Sequence, residues 1–344
     1  MNRRDFLSHS MMVAASAGFL GLVGCSRQSE NAAESGQSAS TTGYSSQLLE
    51  QFKDLTLNVA TYKGAAASYF KEAGIKPPPY QVKYAELGGG NLTFEALNSG
   101  TVDIGPMSEI PPIFGIERKA PIKIIGVLSG DVNNQAIVVP QQSGIQRIED
   151  LVGKRIGYIR STTSHYLLLK VLNEMGLSFK DIQPIALTPQ DGFAAFQSGK
   201  LDAWSGVGYF IQLAQQKADA RILKTGQGYL SGNYVIAANQ SAIADPVKHA
   251  AITDYILREY QVWQWIQKNP QQWAAKTEQL MGIPKELFLQ QFKNQSQPRL
   301  LQPVSAAAIA SQQEVADIFY KAGVLQRPID VRPAWDHSFN WNHA

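Results

Sequence analysis

One cysteine, Cys25, occurs in 344 residues, so no disulfide can close within the chain. The five histidines (9, 165, 249, 337 and 343) are scattered. No His-Glu-x-x-His, no Gly-x-Ser-x-Gly and no paired Cys-His arrangement is present, which removes the usual spacings of metal and nucleophile sites. Ser68-Tyr69-Phe70-Lys71 has a Ser-x-x-Lys spacing but reads as an ordinary helix start. Charge is sparse: 17% of residues are charged, the formal net charge is +3, and no block of like charges occurs. That balance argues for neither nucleic acid nor an anionic membrane surface as a partner. No apolar run after the first 25 residues is long enough to cross a bilayer. An enzyme is not expected, and neither is a metal or a cofactor.

The N-terminus has the composition of a targeting segment. Arg3-Arg4 and Asp5-Phe6-Leu7 resemble the twin-arginine export pattern. Met11–Val23 is apolar but too short to span a membrane comfortably. Leu22-Val23-Gly24-Cys25 resembles the lipobox of bacterial lipoproteins, which implies removal of residues 1–24 and a lipid on Cys25. Residues 26–46 are rich in Ser, Ala and Gly, with little to bury. Residues 25–52 are therefore expected to form a lipidated, flexible tether to a membrane after export, with the body in the periplasm or at the cell surface.

From Leu55 short apolar runs alternate with helical stretches. Strands are expected at 55–61, 82–87, 102–106, 122–128 and 135–139, then at 155–159, 182–187, 203–207, 221–224 and 234–238. Short helices lie between them, so the fold class is α/β with mostly parallel strands. Phe94–Ile104 (FEALNSGTVDI) is echoed by Phe193–Ala203 (FAAFQSGKLDA), with Phe, Ala, Ser, Gly and Asp matching at one fixed offset. Two similar halves follow. After Ala238 the chain turns helical, and Tyr255, Ile256, Tyr260, Trp263 and Ile266 form a stripe expected to pack in the core.

The most informative stretch is Ser161–Gly176, STTSHYLLLKVLNEMG. Thr162, Thr163 and Ser164 have the hydroxyls of a helix N-cap, and Leu167, Leu168, Val171, Leu172 and Met175 follow at helical spacing. Alone, these hydroxyls only cap a helix. Placed after the strand at Arg155–Ile159, in a half that echoes the first, the turn reads as an anion holder built from free amides, hydroxyls and the helix dipole. His165, in the first helical turn, is expected to be neutral and structural, because a cation is disfavoured there.

Ligands of α/β sheets lie beyond the carboxyl ends of strands. That rule selects Tyr62, Lys63 and Gly64; Gly89, Gly90 and Asn91, with Asn91 as a helix cap; Ser108 and Glu109, with Glu109 orienting donors; and the amides Asn134 and Gln135. The glycines are not a Walker loop, since no Gly-Lys-Ser/Thr follows.

Ala96–Gly105 (ALNSGTVDIG), PPIFG, APIKIIG, Asp150–Arg155 (DLVGKR), Ser164–Leu169 (SHYLLL), Asp181–Phe196 and Leu201-Asp202-Ala203-Trp204 occur in an order that resembles the periplasmic substrate-binding proteins of ABC importers for aliphatic sulfonates, taurine and nitrate, most of all the aliphatic sulfonate branch. The resemblance covers roughly Phe52 to Asn340. It implies a two-lobe periplasmic-binding-protein fold of type II with two hinge-crossing strands, near Gln135–Pro140 and Tyr234–Asn239, and a helical C-terminal region. Lobe 1 would be 53–138 plus 237–344, and lobe 2 would be 139–236. The ligand would be a small anionic organosulfur compound in the interlobe cleft, its head on Thr162, Thr163 and Ser164. Trp204 would wall its alkyl part, with Tyr209 and Tyr234 as further cleft aromatics. The partners implied are the permease of the same importer and, through Cys25, a membrane; a monomer is expected. Where the family continues Trp-Asp-Pro, this chain reads Ser205-Gly206-Val207-Gly208, so Gly208 stands at the position of an acid that meets an ammonium group in taurine binders. A zwitterionic ligand is disfavoured and a bulkier sulfonate or sulfate ester favoured. Nitrate, a pyrimidine-type vitamin precursor, or a sensor lipoprotein of the same fold remain alternatives.

Overall fold

The computed structural model describes residues 44–339 and 341. The export signal, Cys25 and the tether up to residue 43 lie outside the described residues. In chain order the strands are β1 (Thr56–Thr61), β2 (Gln81–Glu86), β3 (Ile104–Ser108), β4 (Ile122–Ser129), β5 (Gln135–Pro140), β6 (Arg155–Tyr158), β7 (Gln183–Ala186), β8 (Ala203–Val207), β9 (Ala220–Thr225), β10 (Asn233–Asn239) and β11 (Leu300–Gln302). The α-helices are α1 (Ser46–Phe52), α2 (Gly90–Asn98), α3 (Pro111–Glu117), α4 (Thr163–Glu174), α5 (Pro189–Gln197), α6 (Phe210–Lys217), α7 (Gln240–Ala244), α8 (Pro246–Lys268), α9 (Pro270–Met281), α10 (Lys285–Lys293) and α11 (Ala306–Lys321).

The strands form two sheets, ordered β11-β4-β10-β3-β1-β2 and β7-β6-β8-β5-β9. Each sheet has three parallel strands and then an antiparallel one that arrives from the other sheet: β10 lies between β3 and β4, and β5 between β8 and β9. The chain therefore passes between sheets twice, through residues 130–134 and 226–232. The expected lobe boundaries at 138 and 237 fall inside β5 and β10, so the crossings lie just before the strands that the resemblance singled out. They run side by side: the Gly130 N–H donates to the Gly232 carbonyl at 2.9 Å, and the Gly226 N–H to the Gln135 carbonyl at 2.8 Å.

The internal echo is structural. Gly100 and Gly199 stop α2 and α5 at φ of 73° and 71°, a conformation that side-chain-bearing residues avoid. Asp103 and Asp202 then do the same work, accepting the Asn58 N–H at 2.7 Å and the Arg155 N–H at 2.8 Å at the start of the adjacent strand. Helix α1 shortens the expected tether. Ser45 caps it, and Phe52 is fully buried edge-on against Tyr80, 5.1 Å between ring centres.

Both faces of each sheet are covered. Tyr255, Ile256, Tyr260 and Ile266 of α8 are buried, the first two against the first sheet beside Val59 and Ile236. Leu167, Leu168, Val171 and Leu172 of α4 cover one face of the second, against Ile137, Val139 and Ile156. The opposite face holds Trp204, which is 0% exposed among Val138, Phe196, Leu201 and Ile211. Trp204 is therefore core, not a ligand wall. It is the second residue of β8, far from the carboxyl end, and strand parity turns it toward α5 and α6. The irregular tail is pinned by the Trp341 indole, which donates to the Ile125 carbonyl at 2.9 Å. Among the described residues no helix is long and apolar enough to cross a membrane. Trp204→Ala is expected to lower the unfolding free energy by about 3–5 kcal/mol in urea titrations, the range for emptying a large aromatic site.

Candidate functional site

The carboxyl ends of the parallel strands in the two sheets meet at the crossings, and the α4 turn sits there. Ser161 has φ of 57°, in the left-handed region, and its N–H donates to His165 Nδ1 at 3.3 Å. Thr162 is the N-cap. Its hydroxyl donates to the Ile159 carbonyl at 2.7 Å and accepts the Ser164 N–H at 3.2 Å. Ser164 is fully buried, donates to the Ser205 carbonyl at 2.7 Å and accepts the Ile159 N–H at 3.1 Å. Two of the three expected head-group hydroxyls are thus consumed by the fold, a correction to reading all three as ligand donors. Thr163 spends its hydroxyl proton too, on Gln135 Oε1 at 2.8 Å; what it leaves open is its backbone N–H, which stands at the first helical position and has no acceptor within the helix.

From Gln135 the network continues. Gln135 Nε2 donates to Asn134 Oδ1 at 3.2 Å, and the Tyr234 hydroxyl lies 3.3 Å from the same oxygen and 3.0 Å from the Asp131 carbonyl, to which it donates. Thr163, Gln135, Asn134 and Tyr234 are therefore brought together across the two sheets. The Gly208 N–H joins them, donating to the Asn134 carbonyl at 2.6 Å. Gly208 has φ of 59° with open space where a Cβ would stand.

On one side of the crossings a cavity of about 10 Å³, the size of one water, is lined by Glu109, Thr163, Tyr166, Ser231 and Tyr234. Glu109 is buried, and burial raises its pKa against the pull of its donors, Ser231 at 2.6 Å and Ser311 at 3.1 Å. It orders hydroxyls, as expected. Ser108 ends β3 opposite Tyr234. His165 is also buried. Desolvation, helped by Arg160, lowers its pKa to about 4, and the rings of Tyr158 and Phe179 lie 4.9 and 5.1 Å away. It is a neutral core residue.

On the other side Tyr62 stands at the end of β1. It is surrounded by protein, which raises its phenol pKa, yet keeps 40% of its surface open, as on the wall of a recess. The charges of Arg299 and Glu259 act on it. Glu259 is pushed up to about 7 by burial, opposed by the Tyr255 hydroxyl bond at 3.1 Å and by Arg299. Tyr209 stacks on Phe210 and meets Phe288 of α10 edge-on, 5.9 Å between centres, so it bridges the halves. Lys63 is exposed and joins no hydrogen bond or ion pair among the described residues; Gly64 takes φ of 80° beside it. Asn91 is not a cap. Gly89 is, in extended backbone, and Asn91 is an exposed second residue of α2, because Gly90 must pack closely on Met107. Arg299, Glu259, Ser231 and Ser311 escaped the sequence reading. The only available signals were a lone Arg after Pro298 and a Glu inside the aromatic stripe. Among the described residues no group of His, Cys, Asp and Glu is arranged to hold a metal ion.

Two α/β sheets joined by paired crossings, with a strand–turn–helix at the seam, define the two-lobe periplasmic-binding-protein fold. Residues 56–281 match the family described as NMT1/THI5 like, and the chain belongs to that family. A putative aliphatic sulfonates-binding protein of Escherichia coli K12 is 31% identical over 257 residues, covering 74% of this chain and 79% of that protein. The crystal structure of the periplasmic aliphatic sulphonate binding protein SsuA from Escherichia coli superposes with a TM-score of 0.75 at 28% identity, covering 83% of this chain and 93% of the other. The alkanesulfonate-binding protein SsuA from Xanthomonas axonopodis pv. citri, bound to MOPS, gives 0.74 at 27% identity over 82% and 98% of the two chains.

Thr162→Val, which removes the cap, is expected to cost about 1 kcal/mol in urea unfolding with little change in anion affinity. Thr163→Val removes the hydroxyl that donates to the buried Gln135 Oε1 and is expected to cost about 1–3 kcal/mol in the same titration. Glu259 has a native pKa near 7 against an ordinary 4.5, so the native state holds its proton more tightly. Its contribution to stability is complete below about pH 4.5 and is lost as pH rises to about 7. The melting temperature of Glu259→Gln should accordingly fall less than that of wild type across this window.

Proposed function

We propose that this chain is an extracytoplasmic solute-binding protein that holds an alkyl or aryl sulfonate, or a sulfate ester, in the cleft between its lobes and delivers it to the permease of an ABC importer. The observation that carries the reading is the Thr163 turn. It leaves a helix-start amide open at the seam, while its hydroxyl is joined through Gln135 and Asn134 to Tyr234 on the other sheet. Neutral donors of this kind hold a permanently ionised head without a proton to manage. Aliphatic sulfonate binding in the relatives, and MOPS in one of them, support the class and a pocket that takes more than a short alkyl chain. Gly208 supports it too, since no carboxylate stands there for an ammonium group.

The ligand binds between halves that close on it, because contacts from both walls favour the closed arrangement. The first-sheet segments, 53–129 plus 233–344, and the second-sheet segment, 135–225, move as the two lobes, with the pivots at the crossings. Export with removal of residues 1–24 and lipidation at Cys25 would hold the body at a membrane beside its permease.

A thermal-shift screen tests the reading. At a hundredfold excess over Kd, a binding sulfonate should raise the melting temperature by about 4–8 °C. Taurine, nitrate and pyrimidines should give little shift, and a response to one of those alone would replace this reading. Gly208→Asp adopts a conformation that Asp tolerates, and should improve taurine binding about tenfold in calorimetric titration.

A further inference from the structure

Arg299 is a cation held between two aromatic rings, with its charge acting on Glu259 and Tyr62. Its guanidinium carbon lies 4.3 Å from the centre of the Trp263 ring and 4.9 Å from that of Tyr234. Such contacts fix a guanidinium plane while leaving its N–H edge free. Among the described residues Arg299 donates no hydrogen bond and joins no ion pair. It is only partly exposed. An arginine with its donors unused in a half-buried place calls for an acceptor.

Its position is built. Leu300 pairs with Ser129, so Arg299 is level with Gly130, where β4 ends and the first crossing begins. The segment before it is fastened to that crossing. The Ser296 N–H and hydroxyl donate to Asp131 Oδ1 at 2.8 and 3.1 Å, Gln297 Nε2 donates to the Gly130 carbonyl at 2.9 Å, and Asn133 Nδ2 donates to the Asn294 carbonyl at 2.9 Å. Tyr62, open at 40%, lies within reach of its charge. Its ring platform, Tyr234, belongs to the network that ends at Thr163.

We infer that Arg299 is a ligand-binding residue of the cleft, whose guanidinium donors take the anionic head while the Thr163 amide supplies a neutral donor from the other half. The inference rests on the sulfonate reading above. Paired N–H donors in one plane match two oxygens of a sulfonate as they match those of a carboxylate or phosphate. Charge selection then comes from Arg299, and the turn adds orientation.

The test is calorimetric titration of the intact chain with ethanesulfonate, MOPS and the neutral ethyl methyl sulfone. Arg299→Met, which keeps the apolar stem over the rings, should weaken both sulfonates by about 30-fold or more and leave the weak sulfone affinity unchanged. Arg299→Lys, which keeps the charge but not the planar fork, should weaken them about fivefold. Sulfonate affinities within twofold of wild type in Arg299→Met, with an unchanged melting curve, would overturn the inference. If Arg299→Met does not fold, unaltered affinity in Arg299→Lys overturns it. Failure of the wild-type chain to bind either sulfonate would instead sink the proposed function itself, before any variant is compared.

Discussion

The first sheet of this chain cannot be completed from one continuous stretch of sequence, because the whole second sheet, β5 to β9, is inserted between its β4 and β10. β5 must enter the second sheet antiparallel between β8 and β9, and β10 must return to the first between β3 and β4. That double exchange forces two crossings, and their backbones bond to each other through Gly130 and Gly232 and through Gly226 and Gln135. The groups of the candidate site hang from this seam. Asn134 and Gln135 leave the first crossing; Ser231 and Tyr234 lie at the end of the second or just beyond it. Asp131, within the first, gathers the segment that presents Arg299. The polar network is thus a by-product of chain routing, since residues about a hundred positions apart are made neighbours by the need to finish one sheet around the other.

The two sides of the seam differ electrostatically. On one, the carboxylate of Glu109 is enclosed and supplied with hydroxyl donors, so it is internally satisfied and has nothing left to offer a ligand. On the other, a guanidinium rests on aromatic rings, without a hydrogen bond or ion pair among the described residues, and its charge acts on Glu259. His165, kept neutral by burial, adds no charge to the turn. The fixed charges on the two sides are thus unequal, which a net charge of +3 spread over the chain does not convey.

The α/β alternation, the repeated half and the strand–turn–helix at Ser161–Gly176 were legible because each is a local pattern: apolar periodicity, a helix-stopping glycine, a hydroxyl-rich start. What each hydroxyl does was not legible. Thr162 and Ser164 are spent on the carbonyls of Ile159 and Ser205, and the second of these is 41 residues away in sequence. Trp204 was misplaced because the face a strand residue takes depends on what covers each face. Arg299 was missed because β11 has three residues, too few for alternation to show, and because its importance lies in donors left unused among the described residues. The cap of α2 fell on Gly89 instead of Asn91, since close packing of the helix start on Met107 outweighed side-chain capping.

The burial of Trp204 also restricts how this sequence can drift. A Cβ on Gly157 would come within 3.0 Å of the indole, one on Gly192 within 2.5 Å, and one on Gly206 within 3.1 Å. At Gly192 and Gly206 the residue is small because the indole is large, and at Gly157 Leu201, 2.5 Å from the same point, adds to the restriction. These positions form a single unit of inheritance: a bulkier residue at Gly192 or Gly206 becomes acceptable only after the indole has shrunk, one at Gly157 only after Leu201 has given way as well, and a smaller residue at 204 leaves a void that the three glycines cannot fill. Homologues that part from tryptophan here should therefore part from glycine at 192 and 206 too, and the order of those changes along a lineage should run from the indole outward.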